Sequence, residues 1–340
     1  MFSNKTIFIA PLDWGLGHAT RCVPIIKELL KHNRVILGVT PLTKPIFEEE
    51  FSGVKMIEIP AYNITYSKHL PLWLKLGISY PKISKIILNE NKILEKIIND
   101  YKIDVVISDN RFGLHSKNAH CVFITHQLFL KAPVFENFAQ KQNKKYILNF
   151  DEVWVPDYET YDASTSSASV KNLSGELSHG THYHQNVKYI GPQSRLTDVI
   201  CEVDPNSYRE NKYDYLILLS GPEPGRTTLE NELLLKAKNS NKKIALVRGT
   251  KIMTQGLRFE GIDTFDFPKK EELKRLILSS DKIICRSGYS TLMDMYLLGK
   301  KELILIPTTG QSEQEYLAEY WQQHFNSKMI LEKNLTQFTL

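Results

Sequence analysis

The chain has 340 residues, enough for two domains that each bury a core. Apolar residues make up 42% and charged residues 24%, which excludes a disordered or fibrous chain. No apolar run reaches the roughly 18 residues that cross a bilayer, and the net charge of +5 is too small to indicate nucleic-acid binding. The four cysteines lie far apart, without the spacing of a zinc site or a disulfide framework, so we expect a reduced, cytoplasmic protein.

Short β-rich runs alternate with helical segments in the first half of the chain. The predicted helices are Ala19–Lys31 and Ile83–Tyr101. This alternation favours βαβ units with a parallel sheet. The predicted strands are Thr6–Pro11, Val35–Val39, Met56–Ile59, Val105–Ser108, Val122–Thr125 and Glu152–Pro156.

A polar, serine-rich stretch, Tyr161–Ser178, separates this series from a second one. The sequence therefore predicts an α/β fold of two doubly wound Rossmann-like domains, 1–190 and 191–340, facing across a cleft. In this prediction the last helix can pack back on the first domain. The second series has predicted strands Tyr215–Leu219, Ile244–Val247, Thr264–Phe267, Lys282–Cys285 and Glu302–Ile306, and helices Thr227–Ala237, Glu271–Ser279, Thr291–Leu298 and Ser312–His324.

The first candidate site loop, Asp13–Arg21, follows the first predicted strand. Gly15 and Gly17 let the backbone turn tightly and approach a ligand, and the helix start beyond them suits an anion. The third glycine of a dinucleotide fingerprint is missing, which disfavours NAD. His18 is placed where a base could face the cleft; its alternative role is to cap or pack the helix.

Two polar residues follow neighbouring predicted strands of the first domain. Asp109 closes a strand, where it could hold the His18 imidazole in one tautomer or simply cap the next turn. His126 occupies the comparable position one strand later and is a candidate for contact with an acceptor.

In the second domain, Ser220-Gly221 leaves the first predicted strand, although nearby prolines remove backbone donors. Ser287-Gly288 follows a later strand and suits a phosphate at a helix start. Asp294 follows in that helix, where a carboxylate could bind ribose hydroxyls. Gln311 and Gln314 come after the next strand and could bind the hydroxyls of a sugar.

The segment from Arg286 to Asp294, followed by Pro307 and Gln314, resembles the donor-binding signature of glycosyltransferase family 28. The Gly15–His18 segment resembles that family's N-terminal glycine–histidine loop. The chain is thus similar to the two-domain GT-B glycosyltransferases. A known member of this group is the peptidoglycan N-acetylglucosaminyltransferase, which acts on lipid-linked acceptors.

This resemblance implies a metal-independent, inverting transfer of a GlcNAc-like or hexose unit from a UDP-sugar to a hydroxyl acceptor, with no other cofactor. The first domain would be the acceptor side, and the second would bind the nucleotide-sugar. His18 and Asp109 would be the base dyad. The donor site would be formed by Gly15, Gly17, Ser220, Gly221, Phe267, Arg286, Ser287, Gly288, Asp294, Gln311 and Gln314.

Within that site, Ser287 and Gly288 would meet the diphosphate and the stretch ending at Phe267 would read the base. Asp294 stands where the family usually has Glu, and Glu315 where it has a second Gln, so the exact reaction of the peptidoglycan enzyme does not transfer. Arg226 or Arg248 could supply a counter-charge to the diphosphate, but each is more often a surface residue, and only Arg286 is kept for this role.

Two other functions share this architecture: a non-hydrolysing UDP-sugar epimerase and a non-catalytic nucleotide-sugar-binding protein. No two aspartates are separated by one residue, so the Asp-x-Asp metal motif is absent. We interpret the histidines of the serine-rich region as a solvated connector and assign no metal site; they are His179, His182 and His184.

Residues 62–87 combine apolar side chains, Trp73 and Leu74 among them, with scattered lysines. Such a surface could make peripheral contact with the inner face of a membrane. The alternative is a helix that packs over the first domain with its lysines in water.

Overall fold

The computed structural model describes residues 2–62, 72–159, 172–181, 183–198, 213–250 and 261–340, with the backbone alone over 72–80. These residues form two compact units, of which the first holds most of the chain up to Ser194 and the second holds Arg195–Leu340. Each unit contains one parallel sheet. The predicted α/β class with two doubly wound sheets is therefore confirmed.

The sheet of the first unit is parallel throughout the described residues. Its strands are β1 (Thr6–Pro11), β2 (Arg34–Val39), β3 (Lys55–Glu58), β4 (Val105–Asp109), β5 (His120–Ile124), β6 (Glu152–Val155) and β7 (Val187–Tyr189), in the spatial order β3-β2-β1-β4-β5-β6-β7. Its helices are α1 (Leu16–Leu30), α2 (Lys44–Glu50), α3 (Leu72–Tyr101) and α4 (Glu136–Ile147).

Both faces of this sheet are covered. Ile7 and Ile9 of β1 point into one hydrophobic core, which α1 and α2 complete, and the alternating Phe8 and Ala10 point into a second core with α3 and α4. A strand buried on both faces must be apolar at nearly every position. The central strands can therefore be recognised in the sequence as continuous apolar runs.

The second unit repeats the plan with β8 (Tyr213–Leu218), β9 (Ile244–Val247), β10 (Ile262–Phe265), β11 (Ser280–Cys285), β12 (Leu303–Leu305) and β13 (Lys328–Met329), in the order β10-β9-β8-β11-β12-β13. Its helices are α5 (Gly225–Lys238), α6 (Lys270–Leu278), α7 (Tyr289–Leu297) and α8 (Ser312–His324). A short 3-10 helix follows at Glu332–Gln337.

The structure contains four elements that the sequence does not predict, and the bounds of most predicted elements differ from those observed. The predictions lack α2, α4, β7 and β13. Of the twelve residues of α4 only Asn143 and Ile147 are buried, so no apolar period marks it. Helix α1 begins at Leu16, three residues earlier than predicted, which places Gly17 and His18 in its first turn instead of in a loop.

The predicted helix of residues 83–101 extends back to Leu72 in α3. Ile87, Leu94, Ile97 and Ile98 are buried on its inner face and Ile86 is half-buried, so this part packs over the first unit. The rest of the segment proposed for membrane contact lies outside the described residues or is described only as backbone. In the described part of the chain, none of the helices has the length and hydropathy of a membrane span.

Candidate active site

The first candidate cluster lies where β1 and β4 end side by side, with Pro11 opposite Asp109. The chain leaves β1 toward β2 and leaves β4 toward β5, on opposite sides, so this is the switch point at which open α/β sheets bind ligands. Gly15 precedes α1 with a φ of 139°, a conformation that glycine adopts readily. The glycine thus turns the chain directly from β1 into α1.

Asp109 and His18 meet at this point. The Nδ1 atom of His18 lies 3.1 Å from Oδ1 of Asp109, and the carboxylate is fully buried while the imidazole is 18% exposed. Burial alone would raise the pKa of Asp109, but the charges of Arg21 and His18 and their hydrogen bonds hold it far below its usual range. Asp109 is therefore an anion at neutral pH.

The charge of Asp109 determines the tautomer of His18. An ionised carboxylate can only accept hydrogen bonds, so His18 donates from Nδ1 and its Nε2 lone pair is left to accept a proton. This is the arrangement that a carboxylate imposes on the base of a catalytic triad. The structure thus brings His18 and Asp109 into contact, and their role as a base dyad stays a prediction.

Arg21 is a third member of the cluster that the sequence analysis did not identify. It is 2% exposed, donates from Nε to Oδ2 of Asp109 at 2.8 Å, and makes a second hydrogen bond from Nη2 to Oδ1. The thiol of Cys22 also donates to Oδ2, at 3.3 Å. Residues three and four apart share one face of a helix, so His18, Arg21 and Cys22 all reach the same carboxylate from α1.

His126 lies beside this cluster and is 4% exposed. Its Nδ1 is 2.8 Å from Nη1 of Arg21. Arginine can only donate, so Nδ1 of His126 accepts and the imidazole is neutral with its proton on Nε2. Its ring orients Arg21, which is a different position from the open acceptor contact that the sequence suggested.

A second buried network holds the loop between β1 and α1. Arg111 is fully buried, donates from Nε to Glu90 of α3 at 2.6 Å, and lies 3.5 Å from a carboxylate oxygen of Asp13. Tyr62 donates its hydroxyl to Glu90 at 2.8 Å and its backbone N–H to Asp13 at 3.3 Å. Burial raises the pKa of Glu90 in spite of Arg111. The network ties α3 to the loop that precedes His18.

The second candidate cluster lies at the switch point of the other sheet, where β8 and β11 are neighbours. Ser220-Gly221 follows β8 and Ser287-Gly288 follows β11, at the same edge. Gly288 precedes α7, and a Cβ atom built on it would meet nothing within 4 Å, so there is space at this helix start. Helix starts offer N–H groups and a positive dipole end to phosphate.

The hydroxyl of Ser287 is already engaged: it is buried and donates to the backbone carbonyl of Gln314 at 2.6 Å. The side-chain amide of Gln314 accepts from the N–H of Thr308 at 2.9 Å and donates to Oε1 of Gln311 at 2.5 Å. Glu315 accepts the N–H of Gly310 at 2.9 Å. These bonds fix the β11–α7 and β12–α8 loops against each other.

Two polar atoms in these loops are buried without a hydrogen-bond partner among the described residues, Nε of Arg286 and Oγ1 of Thr308. Buried polar groups are nearly always paired in native proteins. Arg286 precedes Gly288 by two residues and Thr308 precedes Gln311 by three, so both atoms belong to the loops of this cluster. Asp294 is half-buried one and a half turns into α7 and is engaged in contacts of its own.

Arg286 is not a free counter-charge. Its Nη1 donates to the carbonyls of Ile306 and Pro307, both at 3.1 Å, and lies 2.6 Å from Oε1 of Glu332. The hydroxyl of Thr309 donates to the other oxygen of Glu332 at 2.5 Å. Arg286 thus fastens the β12–α8 loop and the C-terminal 3-10 helix to β11.

Arg226 and Arg248 are buried, at 5% and 7% exposure, which contradicts their expected surface position. Both guanidinium groups bond the buried carboxylate of Glu230, and Arg248 also pairs with Asp266 at 2.7 Å. Fixed carboxylates balance these two charges, which leaves little positive potential for a diphosphate.

The stretch predicted to read the base follows β10. The backbone carbonyls of Phe265 and Asp266 are already engaged, because they accept the N–H groups of Arg248 and Thr250. The side chain of Phe267 is 38% exposed.

The described histidines of the serine-rich region, His179 and His184, are half-buried and hydrogen-bonded to the protein. His179 bonds the hydroxyl of Ser178 and the carbonyl of Tyr158, at 2.8 and 2.9 Å. His184 lies 2.9 Å from the carbonyl of Phe150. His182 lies outside the described residues.

Comparison with known proteins gives one family match. Residues 226–340 match the model described as the glycosyltransferase family 28 C-terminal domain. A Methanosarcina mazei protein named an uncharacterized glycosyltransferase is 26% identical over 342 residues, which cover 93% of this chain and 83% of that protein.

Solved structures with the same fold cover nearly the whole chain. The spinosyn rhamnosyltransferase complexed with thymidine diphosphate has a TM-score of 0.63 at 10% identity and covers 98% of this chain and 88% of its own. MurG of Acinetobacter baumannii has a TM-score of 0.52 at 11% identity and covers 98% and 87%. At these identities the likeness shows the fold.

Proposed function

We propose that this chain, a glycosyltransferase of the GT-B fold whose residues 226–340 match the model of glycosyltransferase family 28, transfers a sugar from a UDP-sugar to a hydroxyl acceptor. The transfer is a single displacement with inversion and needs no metal ion. The observation that carries this proposal is the 3.1 Å contact between His18 and the buried anion Asp109.

In the proposed reaction, Nε2 of His18 takes the proton of the acceptor hydroxyl as its oxygen attacks the anomeric carbon. The bond from that carbon to the diphosphate oxygen breaks, and UDP leaves with the electron pair. Asp109 stabilises the imidazolium that forms, and general-base help of this kind contributes about 10²–10⁴-fold to the rate. Arg21 keeps Asp109 ionised and in place.

The donor binds the second unit in this proposal. Gly288 and the start of α7 receive the diphosphate, together with Ser220-Gly221, and Asp294 binds the ribose. Because the hydroxyl of Ser287 and the amide of Gln314 are engaged within the protein, we assign them to holding the loops, and Gln311 to binding the sugar. The buried polar atoms of Arg286 and Thr308 support a polar ligand here.

Thermal unfolding in the presence of nucleotides tests the donor assignment. A ligand at 100 times its Kd stabilises the folded state by about 2.7 kcal/mol, which raises the melting temperature by several degrees. We expect this rise with UDP and UDP-sugars, and its loss in Asp294→Ala. Asp281→Ala is the matched control, since Asp281 stands at the opposite end of β11.

Two results of this measurement would contradict the donor assignment. One is an equal rise in Asp294→Ala, which would place the nucleotide elsewhere. The other is a larger rise with thymidine diphosphate, the ligand of the spinosyn enzyme, than with UDP. Turnover is measured as the release of UDP from UDP-GlcNAc and UDP-glucose in the presence of a mixture of hydroxyl acceptors. EDTA is included to remove metal ions. Conversion of the donor sugar without any acceptor would indicate an epimerase instead.

A further inference from the structure

A charge network in the second unit joins α5 to the ends of β9 and β10. Glu230 accepts a hydrogen bond at 2.6 Å from Arg226, one turn earlier in α5, and another from Arg248, which follows β9. Arg248 also donates from Nη1 to Oδ1 of Asp266, just beyond β10, at 2.7 Å. The first three side chains are buried and Asp266 is 31% exposed. The network therefore fixes one carboxylate that reaches the surface.

The strand register places Asp266 at the ligand-binding edge of the sheet. Leu218, Val247 and Phe265 are aligned across β8, β9 and β10, so the residues after them leave the sheet at one level. Neighbouring strands lie about 4.8 Å apart, which puts Asp266 roughly 10 Å from the end of β8. A nucleotide whose diphosphate lies at the loop after β8 can span this distance with its ribose and bring its base to Asp266.

Asp266 offers a hydrogen-bond acceptor at this position. Its Oδ1 is held by Arg248, and its backbone carbonyl accepts the N–H of Thr250 at 3.1 Å. Its Oδ2 has no hydrogen-bond partner among the described residues, and a carboxylate can only accept. Phe267 follows directly, with a ring that is 38% exposed. An aromatic ring beside a polar group is the combination with which proteins stack on a nucleobase and bond its edge.

A fixed acceptor discriminates between nucleobases. Uracil can donate from its N3–H and guanine from its N1–H, so either base can bond a carboxylate. Cytosine has a lone pair at N3, and adenine has one at N1, and a carboxylate repels both. A polar site rejects a ligand that leaves its groups unpaired. The carboxylate of Asp266 therefore favours uracil and guanine over cytosine and adenine.

We propose that Asp266 is a specificity-determining residue that selects the nucleobase of the sugar donor. Its Oδ2 accepts the ring N–H of the base, which is the N3–H of uracil in the proposed donor, while Phe267 stacks on the ring. Because the backbone carbonyls of Phe265 and Asp266 are engaged, recognition falls to a side chain that the sequence analysis did not assign. Arg248 is a positioning residue, since it holds Asp266 without touching the base. The inference rests on the proposed nucleotide-sugar donor.

The test is calorimetric binding of UDP, CDP, GDP and ADP to the full chain without acceptor. We expect the wild type to bind UDP more tightly than CDP by about tenfold or more, the effect of one hydrogen bond to a charged group. In Asp266→Asn the amide can also donate to N3 of cytosine, so the preference for UDP over CDP should fall by about tenfold. Glu271→Gln removes an exposed charge at the start of α6 and is the matched control; it should keep the preference.

A second variant tests the positioning role of Arg248. Arg248→Lys keeps the positive charge but lacks the planar fork that holds Glu230 and Asp266 together. We expect UDP to bind still, with a preference over CDP that is reduced by about threefold or more. A change in stability alone would leave this preference unchanged. Cooperative thermal unfolding of each variant confirms that it is folded.

The outcomes separate this inference from the proposed donor. Tight UDP binding with an unchanged preference in Asp266→Asn would refute the role of Asp266 and leave the UDP-sugar donor intact. Tighter binding of GDP than of UDP, lost in Asp266→Asn, would contradict the uridine donor and support Asp266 as the selector of the base. Equal binding of UDP and CDP to the wild type would overturn the inference, and no binding of any of the four nucleotides would overturn both.

Discussion

Replacing Arg21 by Leu tests the buried charge cluster most severely. The substitution removes both guanidinium hydrogen bonds from Asp109, a carboxylate with no exposure to water, and leaves His18 and the Cys22 thiol as its side-chain partners. Breaking a buried ion pair from one side costs about 3–5 kcal/mol, because the remaining charge is uncompensated. For a unit of 150–250 residues this corresponds to a fall of about 6–20 °C in melting temperature.

The cost of this substitution depends on pH. In the wild type the pKa of Asp109 is lowered, so its ionised form stabilises the protein above the unfolded pKa of about 4, and this contribution is lost only as the pH falls through the folded pKa. Without Arg21, His18 is the remaining charge that opposes the desolvation of Asp109, so we expect the pKa of Asp109 to rise relative to the wild type. The penalty is then full at neutral pH and shrinks as acid protonates the carboxyl group.

Thermal unfolding from pH 8 to pH 5 measures both effects. We expect a large gap in melting temperature between wild type and Arg21→Leu at pH 8 that narrows toward pH 5. The double variant with Asp109→Asn should recover part of the loss, since no charge is left unpaired. Arg34→Leu, at an exposed position of β2, is the control. A gap of less than 2 °C, or one that does not change with pH, would refute the reasoning.

Two further substitutions test the second unit. Gly249→Ala should destabilise the protein by several kcal/mol, because a Cβ atom there would lie 2.4 Å from the carbonyl oxygen of Leu219 and the φ of 68° adds strain of about 1–3 kcal/mol. The control is Gly53→Ala, which carries the backbone strain alone, since Gly53 has a φ of 80° and open space around it. Equal urea midpoints for the two variants would contradict this account. Glu230→Gln should lower the free energy of unfolding in urea by about 3 kcal/mol, because Arg226 and Arg248 lose the buried carboxylate that they share. An unchanged urea midpoint would show that Asp266 and Glu223 are enough to balance the two arginines.

The sequence predicted the elements that bury apolar residues on a regular period. Strands β1 and β9 and helix α8 have the predicted bounds, and most other predicted elements shift by one to three residues at an end. The missed elements lack such a period: β13 has two residues, and α4 presents polar side chains on most of its surface. Local propensity cannot identify an element that tertiary contacts hold in place.

The same limit applies to the candidate site. The position of Asp109 at a strand end and of His18 in the loop before a helix could be predicted, and the sheet topology brings two such segments together. Arg21 was missed, although a cation three residues after His18, followed by the apolar run Cys22–Ile26, is a signal that the sequence contains. The ion pair between Arg286 and Glu332 joins residues that are 46 positions apart, and it depends on tertiary packing that no local sequence pattern predicts.

The most direct test of the central claim is a comparison of binding and turnover in His18→Ala. If His18 takes the acceptor proton and the nucleotide binds the second unit, as proposed, we expect an unchanged Kd for UDP by calorimetry and a fall in kcat of about 10²–10⁴-fold at saturating donor. An undiminished kcat, or a loss of UDP affinity equal to the loss of turnover, would contradict the assignment of His18 as the base.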